Sequence, residues 1–199
     1  MVRGTRTKEI GDQLWGVYHK GVVVIKGTKK EIEAFAEKLK GMTDEVAEKY
    51  LDDLVETELI QSLLKKFPSI NEFEKWFDEF NFINFEMIWK NSEIKSKIAS
   101  RIRYPGGMHE WLLVARANVF KRWGVSMKEI KSLTSKIESV VFKNPPGRHG
   151  GFGSTKAHNE LLKLIDESED FIDFKKKLIT WAEERLEGGA NNLPKGLLK

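Results

Sequence analysis

The stretch NPPGRHGGFGSTKAHNE, residues 144–160, holds two of the chain's four histidines, four of its sixteen glycines and two of its five prolines. Glycine and proline fix tight turns and let backbone approach a partner closely, while imidazole gains and loses protons near neutrality. That combination suits proton transfer on a loop. Cleaving RNA without a metal needs a base to take the ribose 2′-hydroxyl proton and an acid to protonate the leaving 5′-oxygen. It also needs cations or backbone donors to hold the charged phosphorane. Here His158 is the candidate base and His149 the candidate acid. Arg148, Lys156 and the amides around Gly151 and Gly153 are expected to form a phosphate cradle at a helix N-terminus, with Ser154 or Thr155 adding a hydroxyl.

The histidines differ in their surroundings. His149 lies between Arg148 and Gly150 with only Phe152 as an apolar neighbour, so its sequence surroundings offer little for a buried structural role. His158 falls in the first turn or two of a helix, where the positive end of the dipole favours the neutral imidazole that a base requires. His109 follows the turn YPGG and precedes Glu110 and Trp111. It is either a third member of the site, orienting one of the others, or a partly buried histidine satisfied by a backbone carbonyl. His19, in VYHKG, reads as an ordinary exposed residue at a hairpin turn.

The charge distribution fits a phosphate ligand. The net charge is +4, but residues 1–40 hold nine Lys or Arg against five acids, residues 41–94 hold five against thirteen, and residues 95–199 hold twenty against twelve. Between Lys95 and His158 thirteen basic residues face three acids, and three of the four histidines lie in that window. Such a concentration is the footprint of a surface that meets nucleic acid, with the acidic middle segment balancing it. The same pattern also fits lysine exposed for solubility. The chain has no cysteine, which removes disulfides, thiolate metal sites and cysteine nucleophiles. Apolar runs reach only about five residues, and MVRGTRTKEI carries no stretch of signal-peptide length, so a soluble chain with no membrane partner and no export signal of its own is expected.

Two other readings use the same residues. His109 with Glu110, His149, and His158 with Asn159 resemble the histidines and asparagine of HNH-type nucleases, in which one His activates water and others hold a divalent ion. Against this, Glu110 is the one acid near a histidine in the basic window. A binding module that holds nucleic acid or an acidic protein without catalysis is the other alternative. The histidine chemistry needs no metal or other cofactor.

YPGGMHEWLLV, WGVS, VVF, GRHGGFGSTKAHNELL and WAEERL, spread over roughly residues 100–190, together resemble the C-terminal toxic module of bacterial polymorphic toxins, the RHS-type or LXG-type secreted proteins. That resemblance implies a nuclease, often acting on RNA, that is delivered into a neighbouring cell's cytoplasm and neutralised by a cognate immunity protein, here expected to be acidic. The residues carried over are His109, His149, Ser154 and His158. The chain shows neither the delivery domain nor the autoprocessing segment of such toxins.

These residues must be positioned by a mainly helical α+β fold. QLWGVYHKGVVVIKG predicts a hairpin broken at His19–Gly21. Thr28 with Glu31, Thr43, Ser69 with Glu72, and Ser126 with Glu129 mark helix starts, and Gly41 and Pro68 mark stops. The aromatic residues between Phe73 and Trp89 read as core, SEIKSKIASRI and MKEIKSLTSKI as helices, and IESVVFK as a strand. Helices follow from Ser154 or Thr155 and over EDFIDFKKKLITWAEERLE. The expectation is one domain whose small antiparallel sheet combines the hairpin with a strand near 137–143. Residues 1–94 would be the scaffold, 95–190 the basic histidine-bearing part, and 191–199 a loose tail.

Overall fold

The computed structural model describes residues 4–11 and 13–198, so Met1 to Arg3, Asp12 and Lys199 lie outside it. The fold is α+β and mainly helical, with small antiparallel sheets. The chain divides into two compact units, Met1–Phe67 with Met87–Ile94, and Pro68–Glu86 with Lys95–Lys199.

The first unit opens with an antiparallel meander of β1 (Thr5–Gly11), β2 (Leu14–His19) and β3 (Val22–Gly27). The β2–β3 turn is the predicted hairpin, with Lys20 and Gly21 at φ of 48° and 83°. β1 is an added edge strand whose charged, exposed residues give no alternating signal. Helix α1 (Lys29–Lys40) starts at a capping box in which the Thr28 amide donates to Glu31 Oε2 at 2.7 Å. Helix α2 (Asp44–Lys65) starts at Thr43. Val17 and Val24 of the sheet pack with Ile32, Leu51 and Val55 of the two helices.

His19 corrects the sequence reading, because it is fully buried. Its Nδ1 lies 3.0 Å from Thr5 Oγ1 and its Nε2 3.0 Å from Asp52 Oδ1, so it pins the sheet to α2. A turn histidine facing outward would leave Asp52 to Lys20 alone, whose Nζ reaches it at 2.6 Å.

The second unit begins with α3 (Ile70–Glu79), capped by Ser69 and Glu72 as predicted. Helices α4 (Phe82–Trp89) and α5 (Ser92–Ile102) carry the chain across the unit boundaries. There follow β4 (Met108–Glu110), α6 (Ala117–Arg122), α7 (Met127–Ser132), β5 (Thr134–Lys136), β6 (Val141–Phe142), β7 (Gly147–Arg148), α8 (Ser154–Asp166) and α9 (Phe171–Arg185). The predicted strand at 137–143 is shorter than expected. Ile137–Ser139 is a 3₁₀ turn, and only Val141 and Phe142 are extended, pairing with β7 rather than with the N-terminal meander. The predicted helix after Ser126 stops at Ser132, and Thr134–Lys136 pairs with β4.

Phe73, Phe77 and Phe85 form a buried ring cluster, with Phe77 and Phe85 edge to face at 5.3 Å. Lys121 spans it, donating to the Phe77 carbonyl with its ammonium 4.9 Å from the Phe77 ring centre. That cation is structural rather than free for a ligand. Residues 191–198 are packed where a loose tail is expected, because Leu193 and Leu197 are buried and Gly196 sits so close to Leu133 that a Cβ would lie 2.6 Å from it. The first unit has thirteen basic and thirteen acidic residues, and the second twenty-one against seventeen, so the net +4 belongs to the second. Among the described residues no helix is long and apolar enough to cross a membrane.

Candidate functional site

His109 occupies the middle of β4, opposite Ser135 of β5. Trp111 Nε1 donates to Ser135 Oγ at 2.8 Å, which ties the two strands together beside it. The His109 ring is 6% exposed, edge-on to Trp111 at 4.4 Å and to Phe142 at 6.0 Å. The packing fixes both its place and its orientation.

His149 follows β7 on a loop that closes on itself. The Gly150 amide donates to Ser154 Oγ at 3.2 Å, the Gly151 amide to the Arg148 carbonyl at 2.9 Å, and the Ser154 amide to the Gly151 carbonyl at 3.1 Å. A Cβ on Gly147 would lie 1.4 Å from the Phe152 carbonyl oxygen, so only glycine fits there. Gly153 has φ of +83°, and its Cβ would come within 2.9 Å of the Pro145 carbonyl. These glycines serve the loop's own backbone packing, and the amides of Gly150, Gly151 and Ser154 are used up inside it. The loop is anchored by Arg185, 6% exposed, whose Nη1 donates to the carbonyls of Lys143 and Asn144. Its Nε donates to Glu160 Oε2 at 2.7 Å, and Trp181 Nε1 reaches the same oxygen at 2.8 Å. Burial alone would raise the Glu160 pKa, but these donors outweigh it and hold the carboxyl below its ordinary range.

His158, in the second turn of α8, completes the set. The structure brings His109, His149 and His158 to a single cavity of about 250 Å³, together with Arg103, Glu110 and Ser154. His109 and His149 face each other Nδ1 to Nδ1 at 2.8 Å, a contact that takes one proton between them. Burial first, then the neighbouring His149 and His158, push the His109 pKa down to about 4. His109 is therefore neutral near pH 7, and its Nδ1 can accept from His149 Nδ1. Burial raises the Glu110 pKa, opposed by the Arg103 guanidinium 3.5 Å away.

Of the residues expected to hold a phosphate, only Ser154 lines this cavity. Gly151, Gly153, Thr155 and Lys156 line a more open groove on the other face of the loop, beside the 78% exposed ring of Phe152. Arg148 is exposed on β7 and belongs to neither lining. The cation that lines this cavity with the histidines is Arg103, which the sequence reading misses. Its signal is its place immediately before the YPGG turn that returns the chain to His109. Among the described residues no group of three or more His, Asp or Glu side chains is arranged to hold a metal ion.

The cavity wall at Val114 and Ala115 is stapled to the end of α8 by Arg116, whose Nε and Nη2 meet the two Asp166 oxygens at 2.6 and 2.7 Å. Both side chains are part exposed, so screening limits the pair. Arg116→Ala is expected to lower unfolding stability by no more than about 1 kcal/mol in a urea titration.

Comparison with family models, with curated proteins and with solved structures returns no match for this chain.

Proposed function

We propose that the second unit is the nuclease module of a secreted polymorphic toxin and that it cuts RNA by histidine acid–base chemistry without a metal. The observation that supports this most is the convergence of His109, His149 and His158, which span fifty sequence positions, on one cavity that also holds an arginine and a serine hydroxyl. In this reading His158 takes the 2′-hydroxyl proton, and protonated His149, oriented by neutral His109, gives a proton to the leaving 5′-oxygen. Arg103 and Ser154 face the charge that develops on the phosphate. A module of this kind acts in the cytoplasm of a target cell and is held in check by an acidic immunity protein drawn to the same basic surface.

The test is cleavage of a labelled RNA with and without EDTA. Cleavage is expected to continue undiminished in the chelator. Its abolition would replace the mechanism with a metal-dependent one. Salt-sensitive retention of RNA with no cleavage of any nucleic acid would make the unit a binding module.

A further inference from the structure

The geometry points to a nucleobase subsite beside the histidines, one that takes an unpaired base carrying an exocyclic amino group. The inference rests on the RNA reading of the neighbouring cavity. A second groove, of about 510 Å³, shares Arg103 and Glu110 with the histidine cavity, so the two lie side by side. Its volume falls in the range of small-molecule sites.

The two pockets differ in chemistry. The histidine cavity presents three imidazoles, the Ser154 hydroxyl and the Arg103–Glu110 pair. The groove presents Tyr104 and Met108, which are 52% and 39% exposed, together with the polar side chains of Asn71, Glu74 and Thr134. Gly106 and Gly107, with φ of +94° and +75°, form the turn that follows Tyr104 and leaves its ring open to solvent. Exposed tyrosine is a stacking platform for single-stranded bases.

Hydrogen-bonding groups distinguish the groove from the histidine cavity. Glu74 lines the groove and not the histidine cavity, and its carboxylate accepts hydrogen bonds from a base amino group. Lys131 Nζ, 3.5 Å from Glu74 Oε1, and Arg103 Nε, 3.5 Å from Glu110 Oε1, hold the two carboxylates in place. Arg103, common to both pockets, stands where the phosphate passes from one to the other. Cytosine offers its N4 amino group to such a carboxylate and uracil offers none, while the two rings are of similar size.

The experiment titrates the whole chain with dye-labelled pentamers of 2′-O-methyl cytidine and 2′-O-methyl uridine, followed by fluorescence anisotropy. Blocking the 2′-hydroxyl prevents cleavage, so binding is read by itself. The cytidine pentamer is expected to bind about tenfold tighter than the uridine pentamer. Tyr104→Ala should weaken both by about tenfold, and Glu74→Ala should bring the two within about twofold of each other. Equal affinity for the two pentamers in the unmodified chain, or unchanged binding by Tyr104→Ala, overturns the subsite. A chain that cuts RNA but shows neither effect keeps its nuclease and loses the subsite. One that shows both effects without cutting RNA keeps the subsite and loses the nuclease.

Discussion

Alanine in place of His149 or His158 is expected to slow RNA cleavage by ~10²- to 10⁴-fold while leaving the fold intact. Both side chains are exposed, so neither substitution opens a cavity. His158 is an exposed position of α8, where alanine is a good helix former. His149→Ala removes the partner of His109 Nδ1 and should cost about 1 kcal/mol through that lost hydrogen bond. Residues that act as one catalytic unit do not add, so the double variant should be little slower than the worse single variant. Losses of several kcal/mol in urea unfolding, with activity falling in step, would instead make these histidines structural.

The second large effect is on stability against pH. His109 titrates at about 4 in the folded chain and near 6.5 when unfolded. Between those values the unfolded chain holds a proton that the folded chain refuses, so folding becomes less favourable as pH falls. The penalty is absent above about pH 7, grows between about 6.5 and 4, and is constant below; a shift of this size corresponds to roughly 3 kcal/mol. Carboxylates titrate over part of the same range, so the measurement is a difference. Urea unfolding at pH 7, 6, 5 and 4 is compared between the unmodified chain and His109→Phe, which keeps an aromatic ring against Trp111 and Phe142. The variant should lose less stability over this range by roughly 3 kcal/mol. Parallel curves would show that His109 is protonated in the folded chain at ordinary pKa, contrary to its burial.

Helix starts are legible wherever a side chain near in sequence supplies the cap. Thr28 with Glu31 and Ser69 with Glu72 form reciprocal boxes, and Thr43 and Ser126 each accept from an amide three residues on. What the sequence does not carry is decided by distant partners. His19 reads as exposed because Asp52, thirty-three residues away, is what satisfies its ring once buried. β1 holds its place by pairing with β2 and not by any alternation of its own. The histidine loop is legible as a site because glycine, proline and imidazole coincide in it, and His109 is legible from the turn before it. Arg103 and the diversion of Lys156 and Thr155 to another face are not, since spacing along a chain does not say which side of a helix's first turn faces a cavity.

The second unit draws Pro68–Glu86 from ahead of the stretch that carries all of its histidines. Shortening the protein to the motif-bearing residues from about 95 onward would therefore strip away Phe73, Phe77 and Phe85, along with the carbonyl that receives Lys121 and the Asp78 carboxylate that caps Met127 at 2.7 Å. Such a fragment would uncover the side of α7 that packs on α3 and leave the Lys121 ammonium without its seat. The smallest piece that could be transplanted as a working domain must begin no later than Pro68.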